Sequence, residues 1–195
     1  MCFFVLFPLR MFSRVHEILK YQPDLVYFDG LLPRRVNNNW TMAFFATYYN
    51  SAITWGKEVL TTNKDHFPRG SSTMDIERGG AKGILIDPWQ TDDSMDPDSW
   101  SWAEPPILKN STELISELID IVSKNGNLLL NVPPKADGSF DSRVVATLHE
   151  IGNWLSQNGQ AIFQTKPWSI CCEGPAATLP TNSLDVQNKW PIYAP

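Results

Sequence analysis

The chain has 195 residues, 43% of them apolar, 12% aromatic and 19% charged. That is enough apolar material for one sizeable core and too much for a disordered chain, and the length suits one domain or a piece of a larger one. Sixteen basic residues against 21 acidic ones give a net charge of −5; no Lys/Arg cluster exceeds Arg34–Arg35, so nucleic acid is not expected as a partner.

No apolar run approaches the roughly 20 residues that span a bilayer, so no membrane partner is expected. The longest, Cys2 to Leu9, is broken by Pro8. It lacks both a preceding basic residue and a following small-residue cleavage site, and is not read as a signal peptide. Cys2, Cys171 and Cys172 cannot form a disulfide framework, and adjacent cysteines bridge only with strain. No Cys/His spacing fits a zinc site. His16 and His149 fall within amphipathic helix patterns and read as partly buried helix residues.

In chain order, Phe12, Val15, Ile18 and Leu19 recur at helical spacing and predict a helix over 12–21, ended by Pro23. Residues 24–29 read as a strand closing in the turn signal Asp29-Gly30. A second, aromatic-rich helix is expected over 38–55, closed by Gly56, then a short strand over 58–62 and a Gly/Ser/Pro-rich loop over 65–73. The apolar run 84–88 reads as a third strand, and 89–106 as loop. Asn110 with Glu113 has capping-box spacing ahead of a helix faced by Leu114, Leu118 and Ile121, which Asn125-Gly126 stops. Leu128 to Val132 reads as a buried strand. Asp141 caps a helix with Val144, Leu148, Ile151 and Leu155 on one face, ended by Asn158-Gly159, and 161–165 reads as a last strand.

Strand–helix alternation with near-continuous apolar strands predicts an α/β fold with a parallel sheet. The polar residues Asp29, Asn63-Lys64 and Asn131 fall at strand C-terminal ends, where such folds place ligand sites. No glycine-rich phosphate loop is present. A closed (β/α)8 barrel needs about 250 residues, so the five expected strands form either an open sheet or part of a barrel.

Two carboxylates stand out. Asp29 closes an apolar strand beside Tyr27 and suits nucleophilic or general-base work; a turn aspartate before glycine is an equal reading. Glu77, ahead of Gly79-Gly80, suits the second carboxylate of a glycosidase pair, although a solvated glutamate pairing with Arg78 is commoner. Tyr27, Trp89, Trp100 and Trp102 suit sugar stacking or, equally, an aromatic core.

The stretch Tyr21-Gln-Pro-Asp-Leu-Val-Tyr-Phe-Asp-Gly30 resembles the nucleophile strand of family 29 glycoside hydrolases, the retaining α-L-fucosidases. Four further stretches match in the same order: Asp75-Ile-Glu-Arg-Gly79, Pro88-Trp-Gln-Thr-Asp92, the segment from Glu113 to Lys135, and Ile151-Gly-Asn-Trp-Leu through Thr165-Lys-Pro-Trp168. The resemblance implies a partial (β/α)8 TIM-type barrel over 12–168, with 1–11 and 169–195 as unassigned tails. It places the match from just before the fourth of the family's eight strands onward.

The resemblance also implies that Asp29 is the nucleophile and Glu77 the general acid/base, with Tyr27, Lys64 and Trp89 binding the sugar. The implied reaction is retaining hydrolysis of terminal α-L-fucosyl residues through a covalent fucosyl-enzyme. A fucosylated glycan or glycoconjugate is the implied partner, and no cofactor or metal is called for. Lysosomal or secreted localisation follows from the family alone, and the sequons Asn39-Trp40-Thr41 and Asn110-Ser111-Thr112 are compatible with it. An open five-strand sheet exposes edges and an apolar face, so self-association is expected. The alternative function is a truncated, non-catalytic carbohydrate-binding remnant.

Overall fold

A computed structural model describes residues 13–29, 38–64 and 70–172. The apolar run Cys2–Leu9, the tail 1–11, residues 173–195 of the tail expected over 169–195, and the loop segment 65–69 lie outside the described residues. The chain divides into two units, one ending at Asp75 and one starting at Ile76.

In the first unit, helix α1 (13–19) buries Val15 and Leu19, one turn apart on the same face. Strand β1 (Leu25–Phe28) follows, then helix α2 (Asn38–Trp55), strand β2 (Leu60–Asn63) and the short strand β3 (Thr73–Asp75). The chain leaves α2 through Gly56 at φ +68°, the left-handed conformation in which glycine carries no side-chain penalty. β1 pairs with β2 and β2 with β3, both parallel, with Leu25 opposite Leu60 and Thr62 opposite Thr73.

The core of this unit joins Val15, Leu19 and Phe28 to Phe44, Phe45 and Tyr48 of α2. Phe28 meets Phe44 edge-on at 5.0 Å, an arrangement that suits the ring quadrupoles. The Tyr48 hydroxyl is buried with its ring and donates to the Pro23 carbonyl at 2.9 Å. Burial pushes its pKa up to about 12.

The second unit holds strand β4 (Trp89–Ser94), helix α3 (Ser111–Ser123), strand β5 (Gly126–Asn131) and helix α4 (Ser142–Asn158), which runs into a 3-10 turn (Gly159–Ala161). β4 and β5 pair in parallel along their whole length, Trp89 opposite Gly126 and Ser94 opposite Asn131. The expected capping box is formed: Asn110 Oδ1 accepts from Glu113 N at 3.0 Å, and Asn110 N donates to Glu113 Oε2 at 2.7 Å. Asp141 caps α4 by accepting from Arg143 N at 3.0 Å. Met95, Leu114 and Val144 form the core, with Leu108, Leu130, Val132 and Ile151 packed around them.

Two expected strands are not strands. Over 84–88 the backbone is engaged by the end of α3: Leu85 N donates to the Lys124 carbonyl at 3.2 Å, and Asn125 Nδ2 to the Leu85 carbonyl at 3.0 Å. The strand begins one residue beyond this run, at Trp89, in the stretch read as loop. Over 161–165 the chain turns instead, with Ile162 N and Phe163 N both donating to the Gly159 carbonyl and Gln164 at φ +58°. The short β3 was not anticipated.

The turn after α3 also divides its work differently from the expectation. Asn125 takes the left-handed conformation at φ +73°. Gly126 serves close approach: a Cβ there would sit 2.5 Å from Trp89 Cε2 and 2.8 Å from Ile121 Cγ2.

Candidate active site

Parallel pairing puts the C-terminal ends of β1, β2 and β3 on one side of the first unit's sheet. Three chemistry-bearing side chains gather there. Asp29 directly follows β1, Lys64 directly follows β2, and Asp75 ends β3. Lys64 Nζ lies 2.9 Å from Asp29 Oδ1. The two sides of this pair differ, for Asp29 is 74% exposed at its side chain and Lys64 only 16%. An exposed pair of this kind contributes at most about 1 kcal/mol. Its meaning is placement: a largely buried ammonium is held against a carboxylate open to solvent.

Tyr27 completes the cluster. Its hydroxyl donates to Asp75 Oδ2 at 2.8 Å, and Lys64 Nζ stands 5.8 Å from the centre of its ring. Asp75 is buried, at 4% exposure. Beneath, Asn63 Nδ2 donates to Ser72 Oγ at 2.6 Å, which ties the end of β2 to the segment entering β3. Sequence reasoning singled out Asp29, Lys64 and Tyr27, and the structure brings them together. It missed Asp75; the available signal was its position two residues before Glu77 in a stretch already noted.

Glu77 belongs to the second unit, exposed on the turn that follows β3. Its expected partner Arg78 turns elsewhere, donating to the Asp96 and Pro97 carbonyls at 3.0 and 2.5 Å, with its guanidinium 4.0 Å from the centre of the Trp100 ring. Trp102 Nε1 donates to Glu104 Oε1 at 2.6 Å, and Lys135 Nζ lies 5.3 Å from that ring's centre.

Trp89, expected against the sugar, is a core residue. Its side chain is fully buried at the N-terminal start of β4, with Nε1 donating to the Lys124 carbonyl at 2.9 Å and the ring against Gly126. Both the depth and the end of the strand differ from the expectation. Behind β4 lies a buried ionic group that sequence reasoning also missed. Lys109 Nζ sits 2.7 Å from Asp93 Oδ2 and 2.8 Å from Glu117 Oε1.

A family model described as alpha-L-fucosidase matches residues 6–160. The chain belongs to the alpha-L-fucosidase family. It is 30% identical over 190 residues to the tissue alpha-L-fucosidase of Bos taurus, covering 89% of this chain and 39% of that protein. With the alpha-L-fucosidase of Dictyostelium discoideum it shares 31% over 170 residues, 78% of this chain and 34% of that protein. The human tissue alpha-L-fucosidase is 30% identical over 170 residues, 77% and 34% of the respective lengths. The chain therefore spans well under half the length of these fucosidases.

Among solved structures, the Thermotoga maritima alpha-fucosidase in complex with fucose matches with a TM-score of 0.71 at 27% identity. The match covers 85% of this chain and 36% of that one. The fold class is thereby established as α/β, the parallel strands and helices of part of the fucosidase catalytic barrel.

Proposed function

We propose that this fucosidase-family chain carries the catalytic carboxylates of a retaining α-L-fucosidase, acting on terminal α-L-fucosyl residues of glycoconjugates. The observation that supports it most is the Asp29–Lys64 pair, 2.9 Å apart at the C-terminal ends of parallel strands. Asp29 is the nucleophile. Its carboxylate forms a bond to the anomeric carbon as the bond to the leaving oxygen breaks, and Glu77 supplies the proton that oxygen takes up. Glu77, now ionised, takes a proton from water; the water oxygen bonds to the anomeric carbon and the ester to Asp29 breaks.

Lys64 and Tyr27 stand beside the nucleophile and bind the sugar, the lysine through its ammonium and the tyrosine through its ring. Trp89 has no part in this site. The solved fucose complex of the Thermotoga maritima relative supports fucose as the sugar. Mammalian relatives named tissue and plasma fucosidases support a lysosomal or secreted protein. No helix among the described residues is long and apolar enough to cross a membrane.

Turnover of an aryl α-L-fucoside by this chain, abolished in Asp29→Asn, is the expected result. The second reading is a truncated, non-catalytic carbohydrate-binding remnant. Binding of fucosylated glycan without turnover would establish that reading instead. Light scattering on the same sample tests self-association, which we expect from the open strand edges.

A further inference from the structure

Arg78 directly follows Glu77, and its guanidinium meets four groups. Nη1 donates to the Asp96 carbonyl at 3.0 Å and the Pro97 carbonyl at 2.5 Å. It stands 3.9 Å from Asp93 Oδ1, and the guanidinium carbon lies 4.0 Å from the centre of the Trp100 ring. The seat is itself braced. Asp96 Oδ1 accepts from Asp98 N at 2.8 Å and Ser99 N at 3.1 Å. Asn131 Nδ2 donates to the Trp100 carbonyl at 2.8 Å, and Lys109 holds Asp93 from the other side at 2.7 Å.

The main chain on either side of Glu77 is pinned as well. Ile76 N donates to the Gln90 carbonyl and Arg78 N to the Asp92 carbonyl, both at 2.9 Å. Thr91 Oγ1 donates to the Ile76 carbonyl at 2.7 Å. Arg78 itself sits at φ +46°, where a residue with a Cβ is disfavoured. Glycines stand immediately after it, at Gly79 and Gly80, yet the strained position carries an arginine. A strained conformation persists only where its surroundings over-determine it.

We propose that Arg78 is a positioning residue for proton transfer. By clamping the turn that carries Glu77 to the segment 93–100, it sets the direction from which that carboxyl approaches the glycosidic oxygen. The inference rests on the reading of Glu77 as the acid/base. Arg78 touches no substrate in this role. A lysine in its place keeps the charge but loses the planar stacking on Trp100 and the geometry of the guanidinium fork.

The test is a leaving-group series. Aryl α-L-fucosides from dinitrophenyl to phenyl are turned over by the wild-type chain, Arg78→Lys, Arg78→Ala and Glu77→Gln, and kcat/KM is compared. Dinitrophenolate departs without protonation, whereas phenol needs the acid. A misdirected acid therefore costs roughly tenfold to a hundredfold on the phenyl substrate and little on the dinitrophenyl one. Arg78→Lys is expected to fall between wild type and Arg78→Ala, and it carries the test if Arg78→Ala does not fold.

Equal losses across the series in the Arg78 variants, with a steep series in Glu77→Gln, would overturn this inference alone. A flat series in Glu77→Gln removes the acid/base assignment on which it rests. A wild-type chain without turnover removes the hydrolase reading and this inference with it.

Discussion

Glu117 offers the clearest quantitative test. It lies in α3 at 5% exposure, with Oε1 2.8 Å from Lys109 Nζ and Oε2 without a hydrogen-bond partner among the described residues. Burial outweighs the attraction of Lys109 and pushes its pKa from 4.5 up to about 7, with the charges of Asp93 and Glu113 adding to the rise. The folded chain therefore holds this proton over a range in which the unfolded chain has released it. Stability from this group is fully present below pH 4.5 and is lost as pH rises through about 7.

The interval corresponds to on the order of 3 kcal/mol in full, of which about 2 kcal/mol falls between pH 5.5 and 8. The assay is amide hydrogen exchange of α3, corrected for the intrinsic exchange rate at each pH. Local protection needs no global two-state transition, so it suits a chain expected to self-associate. The expected result is protection roughly thirtyfold lower at pH 8 than at pH 5.5 in the wild type. Glu117→Gln keeps an oxygen acceptor for Lys109 but cannot ionise. It should show no such slope and should exceed the wild type at pH 8. Wild-type protection that is constant or rises with pH, or a Gln variant with the wild-type slope, would refute the reasoning.

Two stability predictions follow from close packing and capping. Gly126→Ala places a methyl 2.5 Å from Trp89 Cε2, and should lower stability by about 1–3 kcal/mol, read as a shift of the denaturant midpoint. Asn110→Ala removes the cap of α3 and should cost about 1 kcal/mol, seen as faster exchange of the first-turn amides of that helix.

The elements legible in the sequence were those whose signals are local. Helical periodicity and caps gave α2, α3 and α4, because an Asn110–Glu113 box or an Asp141 cap acts within one turn of chain. β1, β2 and β5 were legible as short runs bounded by turn residues. β4 was not, because Trp89-Gln-Thr-Asp-Asp-Ser94 carries no apolar alternation. Two of its buried polar side chains take distant partners, Asp93 the Lys109 ammonium and Thr91 the Ile76 carbonyl. The run at 84–88 has a strand's composition, but the end of α3 reaches its backbone.

The candidate site follows the same division. Asp29 and Lys64 stand at strand ends, a place the chain order reveals, and Tyr27 lies two residues before Asp29. Trp89 was named through a motif, yet position within the strand decides its environment, and the start of β4 is fully buried. Asp75 and Arg78 act through partners that no local pattern predicts, Tyr27 in one case and the Asp96–Trp100 segment in the other.

The pairing of β4 with β5 has a consequence for the nascent and the unfolded chain. Opposite Asp92 and Asp93 lie Leu129 and Leu130. If the two strands separate, β4 carries two adjacent negative charges that resist stacking against copies of itself. β5 frees the backbone edge of Leu128-Leu129-Leu130, an uncharged run suited to the cross-chain ladders of aggregates. Only Pro133-Pro134, just beyond it, blocks the extension of such a ladder. Of this pair of strands β5 carries the aggregation hazard, and in the native sheet its acidic neighbour occupies the backbone edge along which such a ladder would grow.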